Sequence, residues 1–112
     1  MDKSILSPPP STLDDRTAAQ LAEIFSALSD PSRIRIIAAL EESELNVGTL
    51  AGIVGISDSA VSHHLRGLRQ MRLVRARKDG RQVYYALDDQ HIADLFQRGL
   101  DHVLHNGNDI SL

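Results

Sequence analysis

Apolar residues recur at two different periods along this 112-residue chain, and the change of period divides it into elements. Leu21, Ile24, Phe25 and Leu28 fall at steps of three and four, the stripe of an amphipathic helix, and predict a first helix over Leu13–Leu28. Ser29 and Asp30 then precede Pro31, a turn into a helix that opens on proline, where the missing N–H is tolerated. This second helix is expected over Pro31–Glu42, burying Ile34, Ile37, Ala38 and Leu40. A short helix over Asn46–Val54 ends at Gly55, suited to the left-handed residue that closes a helix, with Ile56 as a buried staple. Ser57 caps the next helix, Asp58–Met71, whose inward stripe is Val61, Leu65 and Leu68. The pattern then changes to runs of β-formers at Leu73–Arg77 and Gln82–Leu87, with Asp79-Gly80 as the hairpin turn signal between them. A final helix is predicted from Asp89 to about His105, with Ile92, Leu95, Phe96, Leu100 and Val103 for a core or a dimer seam.

The two central helices carry a specific signature. Ala51 is small where two helices touch, Gly55 stands at the turn, and Val61 is a branched residue that locks the second helix; together they mark a helix-turn-helix. A hairpin directly after a reading helix is a wing. The expected fold is therefore mainly α with one small β-hairpin, a winged helix-turn-helix that forms a homodimer through its N- and C-terminal helices. Residues 1–12, rich in Ser and Pro, are expected to be a flexible arm. Residues 13–105 form the DNA-binding and dimerisation domain, and 106–112 a C-terminal tail.

Charge sharpens this picture only when its distribution is followed. The net charge of −3 does not suggest a nucleic-acid partner. Yet Arg66, Arg69, Arg72, Arg75, Arg77, Lys78 and Arg81 crowd one short segment, opposed there only by Asp79. On the reading helix Ser59, Ser62 and His63 allow close approach to base edges in the major groove, with Ser57 at its cap, while Arg66 and Arg69 reach bases or phosphates. Arg77, Lys78 and Arg81 at the wing tip are placed to grip phosphates or enter the minor groove. Double-stranded operator DNA is the expected partner, with no membrane and no small-molecule substrate. There is no long apolar run, and the proline-containing start does not resemble a signal peptide, which predicts a cytoplasmic protein. The absence of Cys excludes disulfides and thiolate metal sites.

The final helix carries metal-ligand chemistry. Asp89, His91, His102 and His105 follow a fixed spacing in which the first and second pairs lie far apart. Eleven residues return His102 to nearly the face of His91 but leave the two about 16 Å apart along the axis, whereas metal–nitrogen bonds are only about 2 Å long. One helix cannot close such a site. Two copies lying antiparallel across a two-fold axis can, each bringing its start against the other's end, to give two identical sites. His102 and His105, at i and i+3, are neighbours on the helix surface. Asp89, as the cap, can swing its carboxylate toward His91. Three imidazoles and one carboxylate suit tetrahedral zinc or cobalt(II).

Together the stretches ALSDPSRIRIIAAL, ELNVGTLAGIVGISDSAVSHHLRGLRQMRLVRARKDGRQVYYAL and DDQHIADLFQRGLDHVLH resemble the ArsR/SmtB family of winged-helix metal-responsive repressors, most closely its zinc- and cobalt-sensing branch. The resemblance covers nearly everything after the proline-rich start. It implies a terminal-helix site that takes Asp and His from one subunit and two ligands from the other, here Asp89, His91, His102 and His105. It also implies that metal binding weakens the grip of the dimer on an operator, derepressing efflux or sequestration genes. In relatives a ligating His donates its second ring N–H to the backbone of the reading helix, which assigns His102 and His63 to such a relay. Thiolate-using members carry Cys where this chain has Asn46, which argues against an arsenic, lead or cadmium sensor of that type. Nickel fits less well, since it needs extra octahedral ligands and the N-terminal arm has no His.

Other readings make different predictions. A repressor not controlled by metal would ignore zinc in a DNA-binding assay, and a purely structural zinc clamp would let chelators dissociate the dimer. An enzyme is not expected. Ser62 beside His63 lacks an orienting third group, and a metal filled by four protein ligands leaves no position for water.

Overall fold

A computed structural model describes residues 13–110, with side chains through His105. The arm expected over 1–12 and the last two residues of the chain lie outside the described residues. Five helices and one hairpin follow in the order α1 (Asp15–Ala27), α2 (Pro31–Glu42), α3 (Val47–Val54), α4 (Asp58–Gln70), β1 (Val74–Asp79), β2 (Gln82–Leu87) and α5 (Gln90–Ile110). The backbone of α5 thus continues past His105, where the apolar stripe had suggested that it would end.

Each helix begins where a side chain can satisfy a free backbone N–H. The carboxylate of Asp14 accepts from the Thr17 N–H, and Asp30 accepts from the N–H groups of Ser32 and Arg33 ahead of Pro31. Asn46 caps α3 through the Thr49 N–H, and Ser57 caps α4 through the Ala60 N–H. Gly55 takes a left-handed φ of 80° between α3 and α4, the turn for which its missing Cβ is required. At the end of α4 the left-handed position falls instead on Arg72, φ 58°, and the Leu73 N–H reaches back to the Leu68 carbonyl at 2.9 Å.

The core is built from the faces that the spacing had marked, with corrections on α2, where Ala38 is only half-buried. Ile36, Ile37, Leu40, Leu50, Val61, Leu65, Leu68, Leu73 and Val74 are buried. Ile36, which had not been assigned inward, is fully enclosed, while Ile34, which had, is 39% exposed. The physical reason is the direction in which α2 is covered. α3, α4 and β2 all pack on α2, which encloses Ile36, while Ile34 and Ile37 line a groove shared with α5 and Ile34 is left at its open side.

The strands pair antiparallel from Val74↔Leu87 to Asp79↔Gln82. β1 is therefore longer at its far end than its alternation suggested, and the two residues left at the turn are Gly80 and Arg81, with Gly80 at φ 62°. A two-residue loop with glycine first matches the right-handed twist of the strands. Leu45 joins the hairpin by a single isolated bridge, its N–H donating to the Tyr85 carbonyl at 3.0 Å and its carbonyl accepting from the Tyr85 N–H at 2.8 Å. Helix α5 lies on α2 and β2, and Gln97 donates a hydrogen bond to Glu41.

Candidate nucleic-acid interface and metal-ligand pairs

Helix α4 divides cleanly into two faces. Val61, Leu65 and Leu68 are locked in the core, which turns Ser59, Ser62, His63, Arg66 and Arg69 to the exposed side. Ser57 is also exposed, but its hydroxyl is engaged as the cap, accepting from the Ala60 N–H at 3.1 Å. Beside this face a hollow of about 430 Å³ is lined by Ser62, Leu65, Arg66, Arg69, Gln70 and Tyr85. Two guanidinium groups at the mouth of an open groove between a helix and a wing present positive charge to an anionic backbone.

At the wing, Lys78 and Arg81 flank the turn and are exposed. Arg77 is held differently. Its Nε and Nη2 donate to the two carboxylate oxygens of Glu44 at 3.3 and 3.2 Å, its Nη1 lies 3.5 Å from Asp79, and its guanidinium stands 5.1 Å from the centre of the Tyr84 ring. The hydrogen bonds to Glu44, then the charges of Glu44 and Asp79, raise the pKa of Arg77 further above its ordinary value.

Sequence reasoning had not singled out the contact that joins α2 to the reading helix. The Nε of Arg33 donates to Nδ1 of His64 at 3.1 Å, and Nη1 donates to the Ala27 carbonyl at 3.2 Å. His64 is half-buried against α2, while its neighbour His63 stays on the outer face. The only sequence signal was Gly67, a residue without a side chain where the Arg33 guanidinium crosses.

The proposed metal ligands lie along α5 as two pairs. Asp89 caps the helix, accepting from the Ile92 N–H at 3.3 Å, and its Oδ1 is 3.4 Å from Nδ1 of His91. Desolvation pushes the Asp89 carboxyl up, but hydrogen bonds from the His91 side chain and from the backbone of Ile92 and His91 outweigh it and hold the group below its ordinary value. Farther along, Nδ1 of His105 lies 3.1 Å from the Asp101 carbonyl, and His102 is exposed on the turn before it. Among the described residues of one chain, no three His, Asp or Glu converge to hold an ion. Imidazole and carboxylate donors in this arrangement could hold a metal ion only if each pair is completed from elsewhere.

Between these pairs, α5 carries an apolar face that is left open among the described residues. Phe25, Leu28, Ile34 and Ile37 from α1 and α2, with Ile92, Leu95, Phe96, Leu100 and Val103 from α5, line an open groove of about 460 Å³. Phe25 is 51% exposed and Val103 64%. Among the described residues, no helix is long and apolar enough to cross a membrane.

Comparison with known proteins follows the same outline. Residues 30–76 match the family described as bacterial regulatory protein, arsR family. The chain is 52% identical over 86 residues to the transcriptional repressor SmtB homolog of Synechocystis, an alignment covering 77% of this chain and 65% of that relative, so it spans a little under two thirds of that relative's length. It is 41% identical over 97 residues to the HTH-type transcriptional regulator NmtR of Mycobacterium tuberculosis, covering 87% of this chain and 81% of NmtR. Among solved structures it resembles the homodimeric winged helix-turn-helix DNA-binding domain of a possible ArsR-family regulator from Mycobacterium bovis, with a TM-score of 0.72 and 30% identity over 88% of this chain and 92% of that one.

Proposed function

The chain belongs to the arsR family of bacterial regulatory proteins, and from that premise we propose that it is a metal-responsive transcriptional repressor whose dimer releases operator DNA when zinc or cobalt(II) binds. The observation that carries the metal part is the division of donors on α5. Asp89 and His91 meet at 3.4 Å at its start, whereas His102 and His105 lie a further eleven to sixteen residues on, about 16 Å or more along the axis. The exposed apolar face between them is what an antiparallel neighbour would cover. In that arrangement each ion takes Asp89 and His91 from one subunit and His102 and His105 from the other.

Family membership supports DNA as the partner. Helix α4 enters the major groove with Ser59, Ser62, His63, Arg66 and Arg69, while Ser57 holds its first turn and Lys78 and Arg81 bind phosphates from the wing. The apolar groove supplies dimerisation without an ion, which favours a sensor over a structural clamp. A chain with no Cys offers no thiolate donor, so cadmium, lead and arsenic chemistry of the thiolate type is set aside.

A bound ion would supply a crosslink between the ends of two terminal helices. The protein transmits that constraint through its own packing. α5 rests on α2, α2 grips α4 through Arg33 and His64, and a ring N–H of His102 directed at the α4 backbone near His63 would add a direct path. Because the effect is a coupling between two equilibria, DNA must weaken metal binding by the same factor by which metal weakens DNA binding.

The test is a zinc titration of the dimer on an operator recovered by in vitro selection, followed by fluorescence anisotropy. Release at one zinc per site, abolished in His102→Ala, supports the proposal. Unchanged DNA affinity with zinc bound contradicts it.

A further inference from the structure

Three consecutive residues before α3 each hold a different residue of the wing. Glu44 takes Arg77 in a two-pronged pair, Leu45 bridges to Tyr85, and Asn46 donates from Nδ2 to Oε1 of Gln82 at 3.3 Å. The Leu45 bridge holds the wing at Tyr85, one register pair on the base side of Arg77, and the Asn46 bond reaches Gln82 beside the turn. Arg77 lies in the middle of β1, opposite Tyr84 and between these two tethers, so the Glu44 pair is a third hold on the same stretch of the wing.

Position alone groups Arg77 with Lys78 and Arg81 as a phosphate ligand. Its partners separate it from them. The guanidinium is spread between two carboxylates and laid along an aromatic ring, with both prongs of its fork already on Glu44. The charge of this half-exposed guanidinium is offset by Glu44 and Asp79, and a phosphate approaching it would meet two carboxylates as well. Among the described residues, Lys78 and Arg81 form no salt bridge.

We propose that Arg77 is a positioning residue for DNA binding: it pins the middle of the wing to the segment before α3 through Glu44, so that Lys78 and Arg81 meet the phosphates, and does not itself bind one. This rests on the reading of the wing as a DNA contact. It predicts that Arg77 is replaceable by anything that restores the pin, including a pair with the charges exchanged, whereas a phosphate ligand cannot be replaced by an acid.

The experiment measures affinity for a labelled mixed-sequence duplex of about 30 bp, long enough for two half-sites one helical turn apart, across a range of salt concentrations. Each phosphate contact contributes about 0.9 to the slope of log affinity against log salt. Lys78→Ala and Arg81→Ala are expected to flatten that slope by about 0.9 per subunit. Arg77→Gln is expected to lower affinity severalfold at an unchanged slope. Arg77→Glu should weaken binding about tenfold or more, and adding Glu44→Arg should recover most of that loss, with thermal melting of every variant measured alongside. A slope for Arg77→Gln flattened as much as for Lys78→Ala overturns the proposal, as does a well-folded Glu44→Arg/Arg77→Glu protein that binds no better than Arg77→Glu alone. If the wild-type chain binds the duplex with no salt dependence, the DNA reading of the wing fails as well, an outcome distinct from failure at Arg77 alone.

Discussion

Arg33 donates from Nε to Nδ1 of His64 across 3.1 Å, and the same guanidinium crosses α4 directly over Gly67. A Cβ added at Gly67 would lie 2.7 Å from Nη2 of Arg33. Glycine inside a helix ordinarily costs about 1 kcal/mol relative to alanine, so Gly67→Ala should stabilise the chain wherever the space is free. Here the guanidinium must move, and the hydrogen bonds to His64 and the Ala27 carbonyl resist it. In an Arg33→Ala background Gly67→Ala is expected to raise stability by about 1 kcal/mol. In the wild-type background it should give no gain or a loss. Urea unfolding of the four proteins in the cycle measures this coupling, and equal effects of Gly67→Ala in both backgrounds would refute the contact.

Asn46 joins two elements with one side chain. Its Oδ1 accepts the Thr49 N–H at 2.9 Å to cap α3, and its Nδ2 donates to Gln82. Asn46→Ala should cost about 1 kcal/mol, the usual worth of a cap, whereas Asn46→Asp keeps the cap and should retain most of the stability. Chemical denaturation separates the two. An alanine variant as stable as wild type would mean that the cap contributes nothing.

The helices were legible from spacing because each has one face packed against the same core, and the starts of α2 and α4 were legible from Asp30-Pro31 and Ser57; the caps Asp14 and Asn46 were not singled out, and α1 and α3 begin one or two residues later than the spacing placed them. The face of α2 was less legible. Ile34, Ile36 and Ile37 are all isoleucine, and only the direction from which α3 and α4 approach decides that Ile36 is enclosed while Ile34 faces α5. The bridge at Leu45 escaped notice because a single bridged residue has no alternation to read. Arg72 escaped because arginine is an unusual residue for a left-handed turn. At the wing, sequence could place Arg77 among basic neighbours but not see Glu44, which is 33 positions away along the chain. On α5, spacing was read as two donor pairs; within one chain Asp89 lies 3.4 Å from His91 and no three donors converge among the described residues.

Acid should weaken the fold through its caps. The Arg33 N–H chiefly holds the Asp30 carboxyl below its ordinary value, and the Thr17 N–H does the same for Asp14. A depressed folded pKa means stabilisation that is fully present above the ordinary carboxylate value, about 3.9, and is lost as pH falls through the lower folded value. Asp30→Asn keeps an acceptor at the cap but cannot titrate. Thermal midpoints of wild type and Asp30→Asn should therefore run parallel from pH 7 to about 5 and converge below about 4. A constant separation at every pH would count against the assignment.

The apolar groove along α5 should be the seam of the dimer. Burying a side chain such as Val or Leu contributes about 1.5–3 kcal/mol, and two-fold symmetry doubles the effect of one substitution. Val103→Glu and Leu100→Lys are expected to shift the protein to monomer in sedimentation equilibrium while leaving the helix content of the monomer unchanged. Dimers of undiminished strength in both variants would place the seam elsewhere.

The central claim is that each ion is shared between two chains, and mixing two crippled proteins tests it most directly. Asp89→Ala/His91→Ala removes one half of every site and His102→Ala/His105→Ala the other, so neither homodimer should bind zinc tightly. A purified heterodimer of the two keeps one complete site, assembled from the intact half of each chain. The account predicts one tight zinc per heterodimer by calorimetry and none in either parent. A heterodimer as inert as its parents, or a parent that binds zinc as the wild type does, would contradict it.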